Sequence, residues 1–159
     1  MPHVIFRGGF DLQAWATEFE FFEVDEPRLL IKVEEIYVNQ RGSRAILPMV
    51  VVEEGHSQNY FVRLSYNPNN ERLSVKIDPA TDPVKTRGVK RSIAVLSQAL
   101  LNFAGRQGAN PLKVEHHTLG RLWSDEWVQE AVSKQPSPQV KHHNETPFAC
   151  TDAPDPHTA

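Results

Sequence analysis

Between Arg28 and Ile77 the apolar residues recur at every second position, and after Thr86 they recur at every third or fourth. The first rhythm is that of half-buried β-strands and the second that of an amphipathic helix, because side chains alternate across a strand but return to one helix face every three to four residues. Leu29, Ile31 and Val33 alternate with polar neighbours, the alternation breaks at Glu34-Glu35, and it resumes at Ile36 and Val38. One extra residue that shifts the register is what a β-bulge supplies. Asn39-Gln40-Arg41-Gly42 reads as a tight hairpin turn, leading into a strand over residues 43–53. Its run Ile46-Leu47-Pro48-Met49-Val50-Val51-Val52 is apolar on both faces. Pro48 cannot donate to a ladder, so this strand is expected at an edge or bulged there. After the turn at Glu54-Gly55-His56-Ser57, Tyr60, Val62, Leu64 and Tyr66 share one face, with Asn59, Arg63 and Ser65 on the other. A third turn, Asn67-Pro68-Asn69-Asn70, precedes the alternation Leu73, Val75, Ile77.

Outside this block the signals are shorter. Residues 3–6 suit a strand closed by Gly8-Gly9, and Asp11 is placed to cap a short helix over Leu12 to Glu18. The aromatic cluster Phe19, Phe21, Phe22 leads into Pro27. A loop containing Pro79 and Pro83 separates the strands from a helix over 86–104, whose Val89, Ile93, Leu96, Leu100 and Phe103 form one stripe. Gly105 is the expected C-cap, with Pro111 beyond it. Residues 112–118 suit a further strand, and Ser124 is positioned to cap a short helix near 124–132.

These elements predict an α+β fold: an antiparallel β-meander of four to five strands, with the long helix packed on one face and short helices near each end. Short loops between consecutive strands favour the antiparallel arrangement with one wet face. That other face is expected to hold Leu47, Met49 and Val51 among polar residues. Residues 1–134 are expected to form one domain. Residues 135–159, rich in Pro, Ser, His and Asp, are expected to be a disordered tail that cannot bury enough surface to offset its ordering entropy.

Composition adds little that is positive. The 159 residues carry a net charge of −3, with 40% hydrophobic and 23% charged residues. This is ordinary globular usage, with no global attraction to nucleic acid or an anionic membrane. The lone cysteine, Cys150, excludes an intrachain disulfide framework and a thiolate zinc site. The first residues lack the basic-then-apolar order of a signal peptide, and no apolar run approaches the ~20 residues of a membrane helix. A cytoplasmic location is therefore expected, with no membrane association.

Charge is unusual at one place. Lys85, Arg87, Lys90 and Arg91 crowd the start of the long helix, where the macrodipole is already positive. Such a site is suited to an anion, a phosphate of a nucleotide or nucleic acid, held on free backbone N–H groups with Gly88 allowing close approach. Internal carboxylates such as Asp78, Asp82 or those of the segment 18–26 are the structural explanation. That acidic segment, Glu18-Phe19-Glu20-Phe21-Phe22-Glu23, reads either as a docking strand for another subunit or as an amphipathic element with its aromatics in the core.

No catalytic constellation is evident. His116 and His117 point to opposite faces of a strand and do not readily share an ion, with Glu115, His3 and His56 as the distant candidates to join one of them. His142, His143 and Cys150 fall in the tail. Tyr60 and Tyr66 group with Val62 and Leu64, so stacking of nucleic-acid bases on Tyr60, Tyr66 and Phe61 beside Arg63 and Lys76 is a thin signal. The first reading is thus a non-catalytic interaction or accessory protein that self-associates through its sheet, as a homo-oligomer or with a protein partner, and needs no cofactor. The alternative is an anion-binding module using Lys85, Arg87, Lys90 and Arg91, with nucleic acid a less favoured partner. A third reading, a small enzyme, requires a sizeable pocket between sheet and helix.

Overall fold

A computed structural model describes residues 1–20, 22–108 and 112–135. In chain order the elements are β1 (His3–Arg7), α1 (Leu12–Glu18), β2 (Phe22–Glu26), β3 (Leu29–Val33), β4 (Tyr37–Val38), β5 (Arg44–Glu53), β6 (His56–Asn67), β7 (Arg72–Ile77), α2 (Arg87–Gln107), β8 (Lys113–His117), a 3₁₀ turn (Gly120–Ser124) and α3 (Glu126–Ser133). The class is α+β, and every strand pairing is antiparallel. The sheet is larger than the four or five strands the hairpin signals predict. It has eight, in the order β2-β3-β5-β6-β7-β1-β8, with β4 beside β5. The meander β3-β5-β6-β7 is its centre. The additions are non-local: β1 reaches across the chain to β7, β8 joins β1, and the segment read as an aromatic cluster before Pro27 becomes β2.

Two sequence irregularities have one cause. Lys32 pairs with Val50 and Tyr37 with Ile46, so five steps on one side oppose four on the other and one residue is extra. Pro48 lies opposite this break. Its other neighbour, Phe61, takes a hydrogen bond from Asp78 N–H and gives its own N–H to Thr81, both away from β5. Pro48 and Phe61 are therefore a non-hydrogen-bonded pair, and the missing N–H falls where the ladder is interrupted. Pro48 thus sits in an interior strand at a bulge, not at an edge.

Register also corrects the face assigned to β5. Leu47 opposes Val62 and Met49 opposes Tyr60, and opposed residues share a face. Leu47, Met49 and Val51 are consequently buried in the core, and the face away from the helix carries Ile46, Pro48, Val50 and Val52.

α2 covers the inner face. Val89, Ile93, Leu96, Leu100 and Phe103 are all buried, as the helical stripe requires. They meet Val4, Phe6, Leu47, Met49, Leu73 and Val75 in one contiguous apolar cluster. Each such side chain contributes about 1.5–3 kcal/mol on burial. The phenol of Tyr60 ties sheet to helix through a 2.5 Å hydrogen bond with Ser92, whose hydroxyl also donates to the Val89 carbonyl. Burial pushes the Tyr60 phenol above its ordinary value, so the tie is that of a neutral hydroxyl.

Helix ends differ in detail from the expectation. α2 is capped by Thr86 and runs through Gly105 to a left-handed Gly108, φ 79°. Glycine costs a helix interior only about 1 kcal/mol, and Gly108 meets the same C-cap requirement one turn later. Asp125, not Ser124, caps α3, because residues 120–124 are already wound into the 3₁₀ turn. Gln135, placed in the tail by its composition, belongs to the body. Its side chain accepts from Glu23 N–H (3.2 Å) and donates to Glu23 C=O (2.8 Å), closing that stretch of the β2 edge. Trp127 donates to Glu26 at 2.7 Å and fixes α3 on the same strand. Residues 22–26 of the acidic segment are thus an amphipathic strand of the chain's own sheet, with Phe22 and Val24 in the core, and Glu18 is the last residue of α1. The expected tail over 136–159 lies outside the described residues, as do His142, His143 and Cys150.

The face assignment has a direct test. Leu47→Ala should lower unfolding stability by about 2–5 kcal/mol, whereas Val50→Ala, three residues along on the opposite face, should cost under about 1 kcal/mol. Urea denaturation of the two variants measures both, and equal losses would contradict the register.

Candidate functional site

The start of α2 is occupied from within. Strand β5 ends at Glu53, whose carboxylate accepts the Gly88 N–H on both oxygens at 3.2 Å. Thr86 takes the Val89 N–H at 3.3 Å. A carboxylate on a helix N-terminus is stabilised by the same dipole that would favour a bound phosphate. Gly88 permits this contact: a Cβ there would lie 2.8 Å from Glu53 Oε2 and 3.0 Å from Leu29 Cδ1.

The four basic residues singled out at this helix start fare differently. Arg87 and Arg91 both reach Asp125, each at 3.7 Å. Arg91 also stacks over the Trp127 ring, 4.2 Å from its centroid. Lys85 pairs with Asp82 at 3.1 Å, and among the described residues Lys90 has no ion-pair partner. Asp125 therefore caps α3, forms ion pairs with two arginines, and joins the two helices. Of the carboxylates expected to answer this cluster only Asp82 does so. Asp78 lies 3.7 Å from Arg63 instead, and Glu26 holds Trp127. Glu53 and Asp125 come from distant segments, and no local pattern marks them.

The histidines are split as strand alternation requires. His116 faces outward, 5.2 Å from His3 between ring centroids, while His117 stacks on Trp123 at 5.4 Å. Among the described residues no third His, Cys, Asp or Glu completes a metal-binding group around them. The space between sheet and α2 is filled by the apolar cluster. A shallow groove of about 270 Å³ lies outside it, among α1, α2 and the end of α3, lined by Trp15, Phe19, Phe22 and Arg106.

Among the described residues no element covers the outer face of the sheet. That face is divided. Across β3, β5 and β6 run Leu30, Val52, Val50 and Pro48, half-buried by their neighbours, beside Phe61, which is 41% exposed. Towards the opposite end, β5, β7 and β1 present Arg44, Arg72, Lys76 and His3 around a depression of about 720 Å³, with Arg63 of β6 opposite Lys76 on the same face. Arg7 and Arg72 share Glu115, at 2.8 and 3.3 Å. The hydrogen bond from Arg7 holds the Glu115 carboxyl below its usual range, and Arg72 adds to the effect. No family model, curated protein or solved structure matches the chain. Among the described residues no helix is long and apolar enough to cross a membrane.

Gly88 gives a test with a definite sign. Helix propensity alone makes Gly→Ala stabilising by about 1 kcal/mol. Here the added methyl meets Glu53 and Leu29, so Gly88→Ala should instead destabilise, by about 1–3 kcal/mol. Thermal denaturation decides, and a stabilised variant would show that Glu53 does not sit on this helix start.

Proposed function

We propose that the chain is a non-catalytic interaction protein that self-associates through the outer face of its sheet. The observation that supports this is the apolar strip of Leu30, Pro48, Val50 and Val52 beside the exposed ring of Phe61, on a face that no described element of the chain covers. The inner face has its helix; the outer one offers contiguous apolar side chains to water, the usual mark of a contact surface. A second copy is the occupant proposed. A two-fold axis near Val50 sets the strip against itself, and isologous dimers of this kind are the commonest assembly. The β2 edge is a weaker candidate, because Gln135 already bonds Glu23 there. The start of α2 is likewise a weaker candidate for an external anion, since Glu53 and Asp125 stand at it. The proposal includes a cytoplasmic location and requires no cofactor.

Sedimentation equilibrium is the test. The wild-type chain should sediment as a dimer. The neutral double substitution Val50→Gln, Val52→Gln should shift it to monomer with an unchanged far-ultraviolet circular dichroism spectrum. A wild-type monomer at every concentration, or a variant that remains dimeric, would overturn the proposal.

A further inference from the structure

The basic half of the outer face is physically separate from the apolar strip and calls for a different ligand. Strand register fixes its composition. Ile5, Ser74, Ser65 and Arg44 lie in one row across β1, β7, β6 and β5, and His3, Lys76 and Arg63 lie in the next. At about 4.8 Å between strands, these cations lie within a few residues' width of one another. Among the described residues, Arg7, Arg44, Arg63, Arg72 and Lys76 are answered by Glu115 and Asp78 alone. Arg44 and Lys76 have no ion-pair partner among the described residues. The Arg63 Nε is buried without a hydrogen-bond acceptor, and its guanidinium is 3.7 Å from Asp78, beyond a hydrogen bond. This concentration of positive charge stands out in a chain of net charge −3.

An exposed aromatic ring borders it. Tyr37 opposes Ile46, in the same row as Arg63 and Lys76, and is 57% exposed. The Tyr37 hydroxyl donates to Glu35, which orients the ring without covering it. Serines and asparagines, among them Ser65, Ser74 and Asn67, supply neutral hydrogen-bonding groups between the cations. Cations that track a phosphate backbone, with exposed rings on which bases stack, are the two requirements for binding a single-stranded nucleic acid without sequence preference. A duplex fits less well, because its bases present no free faces for stacking.

We infer that the depression bounded by Arg44, Arg72, Lys76 and His3 binds single-stranded nucleic acid, with Tyr37 as a stacking platform at its margin. This site is distinct from the start of α2, and its argument does not depend on self-association.

Fluorescence anisotropy with labelled oligothymidine and oligouridine on the full chain tests the inference. Contacts to about four phosphates of a single strand give a logarithmic salt slope near −2.8, so affinity should fall about 50-fold between about 50 and about 200 mM salt. Arg44→Glu with Lys76→Glu should weaken binding more than tenfold and roughly halve the slope. Tyr37→Ala should weaken it severalfold at an unchanged slope. The paired variant Arg44→Gln with Lys76→Gln should fall between, which separates charge from misfolding. The same titration on the Val50→Gln, Val52→Gln chain should keep the wild-type slope, so that loss of dimer and loss of binding are read apart. No binding at the lower salt, an affinity unaffected by Arg44→Glu with Lys76→Glu, or equal affinity for a polyglutamate peptide would each overturn the assignment.

Discussion

Among the described residues, one long helix covers one face of an eight-stranded sheet and no element covers the other. That constraint organises the molecule. Antiparallel register places Ala45, Leu47, Met49 and Val51 on the same side as Val62, Leu64, Val75 and Val4. A single apolar surface results, which α2 seals with its own stripe. Parity then leaves the intervening residues no choice of direction. Pro48, Val50 and Phe61 must point outward with Arg63, Arg44 and Lys76, whatever their affinity for water. The functional proposals concern that outward set.

The internal ion pairs are consistent with the same division. Charges near α2 serve the fold: Glu53 joins the end of β5 to the helix start, and Asp125 joins α2 to α3. Both contacts join elements of the fold: Glu53 accepts a backbone N–H of α2, and Asp125 lies 3.7 Å from each of two arginines. Charges on the outer face are less fully matched. Glu115 divides itself between Arg7 and Arg72, and Arg44 and Lys76 have no described counterpart. Ligand chemistry is therefore better sought on the sheet than at the helix whose basic cluster is the stronger feature of the linear sequence.

What could be read in advance was local. The central hairpins, the extra residue near Glu34, the stripe of α2 and the opposed directions of His116 and His117 all follow from periods of two and of three to four residues. Pairings between distant segments could not be read. β1 pairs with β7 across more than sixty residues and β8 in turn pairs with β1, and Glu53 reaches Gly88 across thirty-five. The face of β5 was obscured for another reason. Its run is apolar on both sides, so hydrophobicity alone carries no parity; only pairing with Val62 and Tyr60 assigns it. That pairing was present in the short turn between β5 and β6, which fixes the register of the hairpin.

The central claim is that the outer face of the sheet is the working surface while the inner one is sealed. Hydroxyl-radical footprinting across a concentration series tests it most directly. Oxidation of Phe61 and Pro48 should fall as concentration rises, while Val84, 71% exposed on the loop before α2, stays equally reactive and Leu47 and Met49 stay protected throughout. A Phe61 reactivity that never changes, or a Met49 that oxidises as readily as Val84, would contradict the account.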